Sequence, residues 1–360
     1  MGRTYSTKEK LGTWVHDWPR LLVALSSRRG WMRMRNRADA IAWPDDRSGV
    51  ACHWEYTRTL HVADVFPFTG GWLMRRALAD WPIRLQPQPA HVNSQHGCSN
   101  APFGPDGETP DVSFLIGHRG RTRWPLLQTT LQSIAAQSDV RFEVVVVEQD
   151  EKPLIRDELP PWVRYIHSPC PPDMPYCRSW AFNVAARAAR APLLILHDND
   201  MLVPARYAAQ SLRLFHQGWE VLNLKRFIFY LAESQDDVAS ILAGRTTARV
   251  ESVVQNLEGG GSMAIGAEAF HEIGGLDEAF VGWGGEDNEF WDRCLTRRVW
   301  EYAGLPIIHL WHPPQPGKRI ADGWGQATAD LTRRRRALPP EQRIAELQSV
   351  QRGRIEKPPV

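Results

Sequence analysis

The sequence lacks the long apolar runs that cross membranes. No stretch of its 360 residues approaches the roughly 18 consecutive apolar residues of a spanning helix, so no membrane-spanning segment is predicted. The apolar stretch near the N-terminus, Leu21 to Leu25, is also shorter than the core of a signal peptide. Export by a cleaved signal is therefore not expected.

The sequence also lacks a large net charge. The 43 basic and 41 acidic side chains leave a net charge of +2, whereas general nucleic-acid binders carry a strong basic excess. We therefore expect no nucleic-acid partner.

Cysteine is scarce. The five cysteines are odd in number and include no C-x-x-C pair, so neither a disulfide framework nor a zinc site is predicted. A reducing compartment is the simpler expectation. We predict a cytoplasmic protein, with peripheral contact at the inner face of a membrane as a further expectation.

Charge is distributed unevenly along the chain. Residues 1–40 hold nine basic and three acidic groups, and residues 111–320 hold twenty-one and twenty-six. For the basic first forty residues, contact with an anionic membrane surface and a solvated arm are both open interpretations. The stretch from Gln86 to Pro110 is rich in Pro, Gly, Asn, Ser and Gln, which predicts a linker. The predicted regions are an accessory region of unknown role at 1–109, the main domain at 110–320, and a basic tail, either a solvated helix or mobile, at 321–360.

Apolar strands alternate with helical patterns after residue 110. The predicted strands are Val112–Ile116, Phe142–Val147, Val163–Ile166, Leu193–Leu196, Val221–Leu224, Met263–Ile265 and Leu305–His309. The predicted helices are Leu127–Ala135, Ser179–Ala189, Ala205–Phe215, Ala267–Ile273 and Glu289–Arg298. This alternation is typical of an α/β fold with a mainly parallel sheet covered on both faces. Ligands of such sheets bind at the carboxyl ends of the strands.

Two carboxylates follow one of the buried strands. The run Leu193–Leu196 leads directly into His197, Asp198, Asn199 and Asp200. Two acidic side chains one residue apart can both reach a divalent cation that also binds a diphosphate. Asp-x-Asp alone is also common in turns. Its position after a buried strand favours the metal-binding interpretation.

A second cluster joins glycines to carboxylates. The run Gly282 to Asp287 reads Gly-Trp-Gly-Gly-Glu-Asp, and a glycine triplet, Gly259 to Gly261, lies about twenty residues upstream. A flexible loop before an acidic first helical turn is the simpler interpretation. Because that interpretation leaves the tryptophan unexplained, we interpret the run as a mobile lid whose Trp283 closes over a ligand, with Asp287 as a general base.

Histidines and arginines supply further candidate ligands at predicted strand ends. His309 and His312 follow the last strand, and one imidazole is a candidate third metal ligand, although spacing does not settle which. Arg119 and Arg121 follow the first strand, and Arg178 precedes a helix. Guanidinium groups suit phosphate oxygens.

Together these motifs resemble GT-A fold glycosyltransferases of family 2-like type. The resemblance is greatest to the β-1,4-galactosyltransferases and to the galactosyltransferase-like C-terminal part of chondroitin-polymerase-type enzymes, over roughly residues 110–318. Trp-Gly-Gly-Glu-Asp is its specific element, whereas Asp-x-Asp is shared by many GT-A enzymes. The resemblance implies a Rossmann-like, mixed, mainly parallel sheet flanked by helices, with an N-terminal extension and a helical, basic C-terminal tail.

The resemblance also implies roles for individual residues. The implied donor-binding residues are His118, Arg119, Arg121, Glu148, Arg178, Asn183, Asp198, Trp283, Gly284 and Gly285. Within that set, Glu148 would lie near uracil or ribose and Arg178 near the diphosphate. The implied metal ligands are Asp198, Asp200, His309 and His312. Asp200 is the expected direct ligand of Mn2+, with Mg2+ as the alternative ion. Glu286 and Asp287 would face the acceptor, with Asp287 as the base.

The sequence departs from the galactosyltransferase pattern at two positions. Val281 stands where those enzymes have a tryptophan, and Asn288 where they have a third acidic residue that helps to hold the acceptor sugar. The resemblance therefore does not specify the acceptor. The disulfides and Golgi anchor of that family have no counterpart here.

The implied activity is that of a metal-dependent, inverting hexosyltransferase. It would move a sugar from a nucleotide-sugar donor, a UDP-linked hexose or N-acetylhexosamine, to a hydroxyl of a saccharide or lipid-linked saccharide, in polysaccharide or glycoconjugate synthesis. Two alternatives stay open: a nucleotidyltransferase that forms a sugar nucleotide, and a non-catalytic nucleotide- or glycan-binding module. The first predicts a phosphate loop with lysine, which residues 117–123 lack. The second does not account for retention of both the carboxylate motif and the base-bearing lid.

Overall fold

A computed structural model describes most of the chain beyond the predicted linker. The described residues are 5–19, 22, 65, 66, 68–86, 109–234, 236–245, 249–254, 259–313 and 323–355. Most of the predicted linker and much of the predicted accessory region lie outside them. The predicted domain boundaries stay predictions.

One mixed sheet forms the centre of the described structure. Its strands are β1 Val112–His118, β2 Phe142–Glu148, β3 Val163–His167, β4 Leu193–His197, β5 Met201–Leu202, β6 Val221–Leu231, β7 Val250–Val254, β8 Ser262–Gly266 and β9 Val299–His309. They lie in the order β3-β2-β1-β4-β8-β6-β9-β5, and β7 pairs with β6. Neighbours from β3 to β4 are parallel, β8 is antiparallel to β4 and β6, and β6 and β9 are again parallel.

Helices cover both faces of this sheet. They are α1 Thr7–His16, α2 Phe68–Asp80, α3 Trp124–Ala135, α4 Arg178–Ala188, α5 Tyr207–His216, α6 Val238–Leu242, α7 Ala267–Glu272, α8 Glu286–Cys294, α9 Gly323–Arg336 and α10 Pro340–Gln348. Helices α3 and α5 bury apolar residues against one face, and α4, α7 and α8 against the other. Every residue of β1, β2 and β4 is buried, as expected for parallel strands covered on both sides. The predicted α/β fold with a mixed, helix-flanked sheet is confirmed.

Element boundaries differ from the prediction where backbone geometry overrides the apolar pattern. Helix α8 begins at Glu286 rather than at the predicted Glu289, because Gly285 adopts a left-handed conformation with φ 89° that starts the helix. Strands β6 and β9 are eleven residues each, longer than predicted. Their pairing is irregular at Asn223, Lys225 and Phe227, and such irregularities break the apolar periodicity that the prediction used.

The C-terminal strap, residues 323–355, packs against the domain. Arg343 and Leu347 of α10 are 2% and 4% exposed. The sequence predicted a solvated helix or a mobile tail here. The predicted helical character is confirmed. The strap also buries a charged contact with the domain, between Arg343 and Glu289, which an apolar pattern does not report.

Helix α2 lies against β7 and β9, and Trp18 joins the apolar cluster formed there. Trp18, just after α1, is buried and meets the Trp72 ring edge-on at 5.4 Å between centroids. The outer face of α1 carries Leu11, Trp14 and Val15, which are 63%, 52% and 56% exposed. No helix of the described residues has the length and apolar character to cross a membrane. Contact of the N-terminal region with a membrane surface stays a prediction.

The core under α3 supplies a first test. Phe114 of β1 is fully buried and packs edge-on against Phe142 at 5.9 Å. Replacing Phe114 with Ala should reduce the free energy of unfolding in urea by about 3–5 kcal/mol, because the cavity forms in a well-packed core. Leu154→Ala, at a side chain 44% exposed, should change it by less than about 0.5 kcal/mol. Equal effects would contradict the described core.

Candidate active site

The turn Asp198–Asp200 is fixed from beneath by a buried histidine. His197, the last residue of β4, is fully buried, with Nδ1 2.8 Å from the Ser262 hydroxyl and Nε2 3.1 Å from the Met201 carbonyl oxygen. The backbone N–H of Asp198 donates to the Gly261 carbonyl at 2.9 Å. Both ends of the turn are therefore held to neighbouring strands, which orients the two carboxylates.

Pairing of β5 with β9 brings both late histidines to Asp200. Met201 lies opposite His309 in this antiparallel pair, and the Leu310 N–H donates to the Asp200 carbonyl at 2.9 Å. Asp200 Oδ2 is 3.8 Å from His309 Nε2 and 3.3 Å from His312 Nε2. One ligand atom from each of these three side chains lies within 4.8 Å of the others. The structure thus joins three of the four predicted metal ligands.

The two imidazoles are held in place by second partners. His312 Nδ1 is 2.8 Å from the Pro313 carbonyl oxygen, which can only accept. Nδ1 therefore carries the hydrogen, and the Nε2 lone pair faces Asp200 when the ring is neutral. The His309 ring stacks on Tyr230 with centroids 4.3 Å apart. Tyr230 lies opposite His309 in the β6–β9 register, and the sequence prediction missed it.

The pKa of Asp200 shows how strongly this cluster favours the carboxylate. Burial alone would raise it, but the hydrogen bond that His312 donates when its ring is protonated, together with the charges of His309 and Arg123, lowers the pKa of Asp200 to about 2. The site therefore offers one ionised oxygen and two imidazole nitrogens. A mixed set of oxygen and nitrogen donors without sulfur suits a divalent ion such as Mn2+. The residues fit the implied metal.

Arg123 is an unpredicted neighbour of this cluster. It follows the predicted arginines in the loop after β1, and its NH1 is 3.0 Å from Asp200 Oδ2. Arg119 and Arg121 have other partners: Arg119 donates to the Met174 carbonyl, and Arg121 pairs with Glu158. Their predicted nucleotide contacts stay predictions.

Arg178 connects the Asp-x-Asp turn to the first turn of α8. Its Nε donates to Asp198 Oδ1 at 2.7 Å, and its NH1 is 3.8 Å from Glu286 Oε1. Burial would lower the pKa of Arg178, but the carboxylates of Asp198, Glu286 and Asp287 raise it. Asp198 is thus bound to Arg178 and lies outside the group of Asp200 and the two histidines. Its direct contact with a metal stays a prediction.

Glu286 and Asp287 occupy the first turn of α8. The Glu286 side chain is 11% exposed. Burial and the Asp287 carboxylate raise the pKa of Glu286 to about 7. Asp287 Oδ1 accepts from the Asn288 N–H at 2.9 Å, which fixes its rotamer at the helix start. A buried carboxyl group with a raised pKa next to a second carboxylate is a common feature of acid–base sites.

Lys225 is a buried cation that the sequence prediction missed. It lies on β6 at the irregular pairing, is fully buried, and donates to Asn223 Oδ1 at 2.8 Å and to the Ser262 carbonyl at 3.1 Å. Burial lowers the pKa of Lys225 to about 7, against the opposing effect of Asp287 and Asp198. A lysine inside a largely apolar strand was the available signal.

The glycine loop before α8 is anchored at one end and open at its tip. The Gly282 N–H donates to the Tyr176 carbonyl at 3.0 Å, and Trp283 is 53% exposed. Gly284 and Gly285 have φ of 105° and 89°, which other residues rarely adopt. The loop therefore leaves the Trp283 side chain more than half exposed at its tip.

Three predicted donor-binding residues have mainly internal contacts. His118 is fully buried and accepts from Asn199 Nδ2 at 3.0 Å, and burial lowers its pKa to about 4. Glu148 is also buried and accepts from the Tyr165 hydroxyl and the Leu154 N–H. Asn183 bonds to residues 276 and 278. The structure does not test whether any of them contacts a donor.

Part of the chain matches a family model. Residues 247–302 match the model described as the N-terminal domain of galactosyltransferase. This segment contains the Trp-Gly-Gly-Glu-Asp element and the first turn of α8. The match confirms the predicted resemblance for this segment.

Comparison with solved structures gives partial similarities. One is GalNAc-T7 with UDP, GalNAc and Mn2+, at 15% identity, covering 69% of this chain and 56% of that chain, with a TM-score of 0.44. Another is the catalytic domain of Drosophila β1,4-galactosyltransferase 7 with xylobiose, at 18% identity, covering 52% and 63%, with a TM-score of 0.31. The chain covers less than two thirds of the length of either. No curated protein matches the sequence.

The metal cluster can be tested with Mn2+ alone. His312→Ala should weaken Mn2+ binding at least about ten-fold. Loss of a residue that only hydrogen-bonds to a metal ligand already lowers metal affinity by about 10- to 100-fold. Isothermal titration calorimetry of the full chain measures it. The control is His216→Ala, at an exposed histidine that ends α5, with wild-type affinity expected. Unchanged binding in both His312→Ala and Asp200→Asn would show that the cluster is not the ion's site.

The raised pKa of Glu286 predicts a pH dependence of stability. The folded chain keeps a proton up to about pH 7 that the unfolded chain releases near the ordinary value of 4.5. This stabilisation is therefore complete below pH 4.5 and is lost progressively as the pH rises from 4.5 to about 7. Glu286→Gln should consequently gain stability relative to wild type between about pH 5 and pH 8 in urea unfolding. Exposed Glu268→Gln is the control, and parallel curves for Glu286→Gln and wild type would refute the raised pKa.

Proposed function

We propose that this chain is a metal-dependent inverting glycosyltransferase that transfers a sugar from a nucleotide-sugar donor to a hydroxyl of a saccharide acceptor. One observation carries the proposal. Arg178 bridges the Asp-x-Asp turn and the first turn of α8, so that phosphate-binding and proton-accepting groups lie at one edge of the sheet. The galactosyltransferase model match over 247–302 supports the same class.

The donor side of the site is formed by two basic side chains, Arg178 at the start of α4 and Lys225 within β6. Lys225 is fully buried and the Arg178 side chain is 14% exposed, and the carboxylates of Asp198 and Asp287 stabilise the charge of each. A diphosphate next to them would meet basic donors whose positions are already fixed. Such preorganised charges stabilise a negative leaving group better than mobile solvent does.

The metal site would act on the same leaving group. Asp200, His309 and His312 would hold the ion, with Mn2+ as the proposed species and Mg2+ as the alternative. Bound there, a divalent ion neutralises negative charge that develops on a departing nucleotide diphosphate. The three ligands come from the Asp-x-Asp turn, the end of β9 and the segment after it.

The acceptor side is formed by α8 and the glycine loop. Asp287 is half-buried and would take the proton of the attacking hydroxyl, while its neighbour Glu286 would bind the acceptor. Attack from the side opposite the leaving group inverts the anomeric carbon. Trp283, exposed at the loop tip, would cover the sugar and exclude water. A UDP-linked hexose or N-acetylhexosamine is the proposed donor, following the galactosyltransferase match.

Replacing the proposed base should lower the rate of sugar transfer without weakening the binding of donor or Mn2+. Asp287→Asn should lower kcat by about 10² to 10⁴, the usual worth of general-base catalysis, while donor and Mn2+ affinities stay near wild type. Transfer assays with UDP-sugars and calorimetry with donor and Mn2+ measure the two quantities. Asp157→Asn, at an exposed carboxylate outside the site, is the control. Full turnover in Asp287→Asn would contradict the role of Asp287 as general base.

The same assays discriminate the alternatives. A nucleotidyltransferase would release pyrophosphate from a nucleoside triphosphate and a sugar phosphate, and a binding module would bind donor without turnover. A transferase should hydrolyse its donor slowly without acceptor and lose activity with EDTA. Retention of full turnover in EDTA would contradict the metal dependence.

A further inference from the structure

The C-terminal strap contacts the two helices that carry the candidate chemistry. Helix α4 begins at Arg178 and α8 begins at Glu286, so each presents its first turn to the site. The strap binds both behind these turns. It also lies outside the segment that matches the galactosyltransferase model.

On α8, the contact is a buried ion network. Glu289 and Arg293 form a bidentate pair with neither side chain exposed. Arg343 of α10 adds a second guanidinium, 3.1 Å from Glu289 Oε1 and 3.4 Å from Asp292 Oδ2. Glu289 lies two residues after Asp287, so a shift of this carboxylate moves the base.

The geometry of this network specifies a position rather than only adding stability. Buried ion pairs gain little net stability, because desolvation offsets their attraction, but removing one partner leaves an uncompensated charge. Arg293 also donates to the Gly275 carbonyl at 2.6 Å, which holds α8 against the loop after α7. If Arg343 is removed, the carboxylates of Glu289 and Asp292 each lose one cationic partner. Helix α8 then loses its contact with Arg343 of α10.

The strap also contacts the glycine loop and α4. Thr328 of α9 donates to the Trp283 carbonyl at 3.0 Å, and a Cβ on Gly285 would collide with Thr332 Oγ1. Beyond α10, the Arg354 carbonyl accepts from Trp180 Nε1 at 2.8 Å. Both walls of the site are thus tied to one continuous segment.

We propose that the C-terminal strap sets the position of α8, and that Arg343 is a positioning residue for Asp287. Arg343 acts through Glu289 and Asp292 and touches no substrate. The proposal rests on the proposed function for its catalytic consequence, but not for its structural one. Because Arg343 contacts α8 and not Arg178 or the metal cluster, its loss should affect the acceptor and base side before the donor side.

The test compares three variants of the full chain. Arg343→Met should lower kcat between about 10- and 100-fold, since a displacement of about 1 Å can cost that much, while donor KM changes less than about three-fold. Arg343→Lys, which keeps the charge and one hydrogen bond, should recover part of the loss and serves as the folded variant if Arg343→Met does not fold. Arg334→Met, at an exposed arginine of α9, should match wild type.

Hydrogen exchange supplies a readout that needs no activity. Amides of residues 284–294 should exchange at least about ten-fold faster in Arg343→Met and in Arg343→Lys to a lesser degree, while β1 and β2 keep wild-type protection. Unchanged protection of α8, or a loss of kcat shared by Arg334→Met, would overturn the proposal. If wild type transfers no sugar, the proposed function fails, and the exchange rates still decide whether the strap positions α8.

Discussion

The site depends on one mostly buried guanidinium that lies between two acidic elements. Arg178 begins α4 and neutralises Asp198 on one side and Glu286 on the other. Carboxylates brought together with so little solvent would otherwise repel each other or take up protons. The raised pKa of Glu286 shows that the compensation is incomplete there. A cation at this point therefore allows the turn after β4 and the first turn of α8 to share one pocket.

The remaining charges follow from that constraint. Lys225 and Arg123 approach the same acidic edge from β6 and from the loop after β1. Each cation reaches the edge from a different element of the fold, and each is shielded from solvent, so a mobile counterion could not take its place. The balance explains why residues 111–320 can hold more acidic than basic groups and still form a compact site. Substrate anions would meet fixed positive donors rather than a uniformly acidic surface.

Some parts of the fold and the candidate site could be predicted from the sequence, and others could not, for physical reasons. The buried parallel strands were predictable, because a strand covered on both faces is apolar at every position. Asp198 to Asp200 and the run Gly282 to Asp287 were predictable because they interrupt that pattern at strand and helix ends. Lys225 and Tyr230 were missed since they lie inside a strand whose irregular register the sequence does not show. Arg343 was missed because pairing across 54 residues with Glu289 leaves no local periodicity.

The two departures from the galactosyltransferase pattern bear on the acceptor side in different ways. Val281 is 5% exposed and belongs to the apolar cluster that includes Leu276 and Phe290, so this position is a core position here. A valine there cannot form an aromatic wall for a sugar, which leaves the exposed Trp283 as the ring that a sugar can meet at this loop. Asn288 lies next to the Asp287 carboxylate that accepts its N–H, and a neutral amide there avoids a third charge beside Glu286. The proposed acceptor side is therefore less acidic and less aromatic than the galactosyltransferase pattern implies.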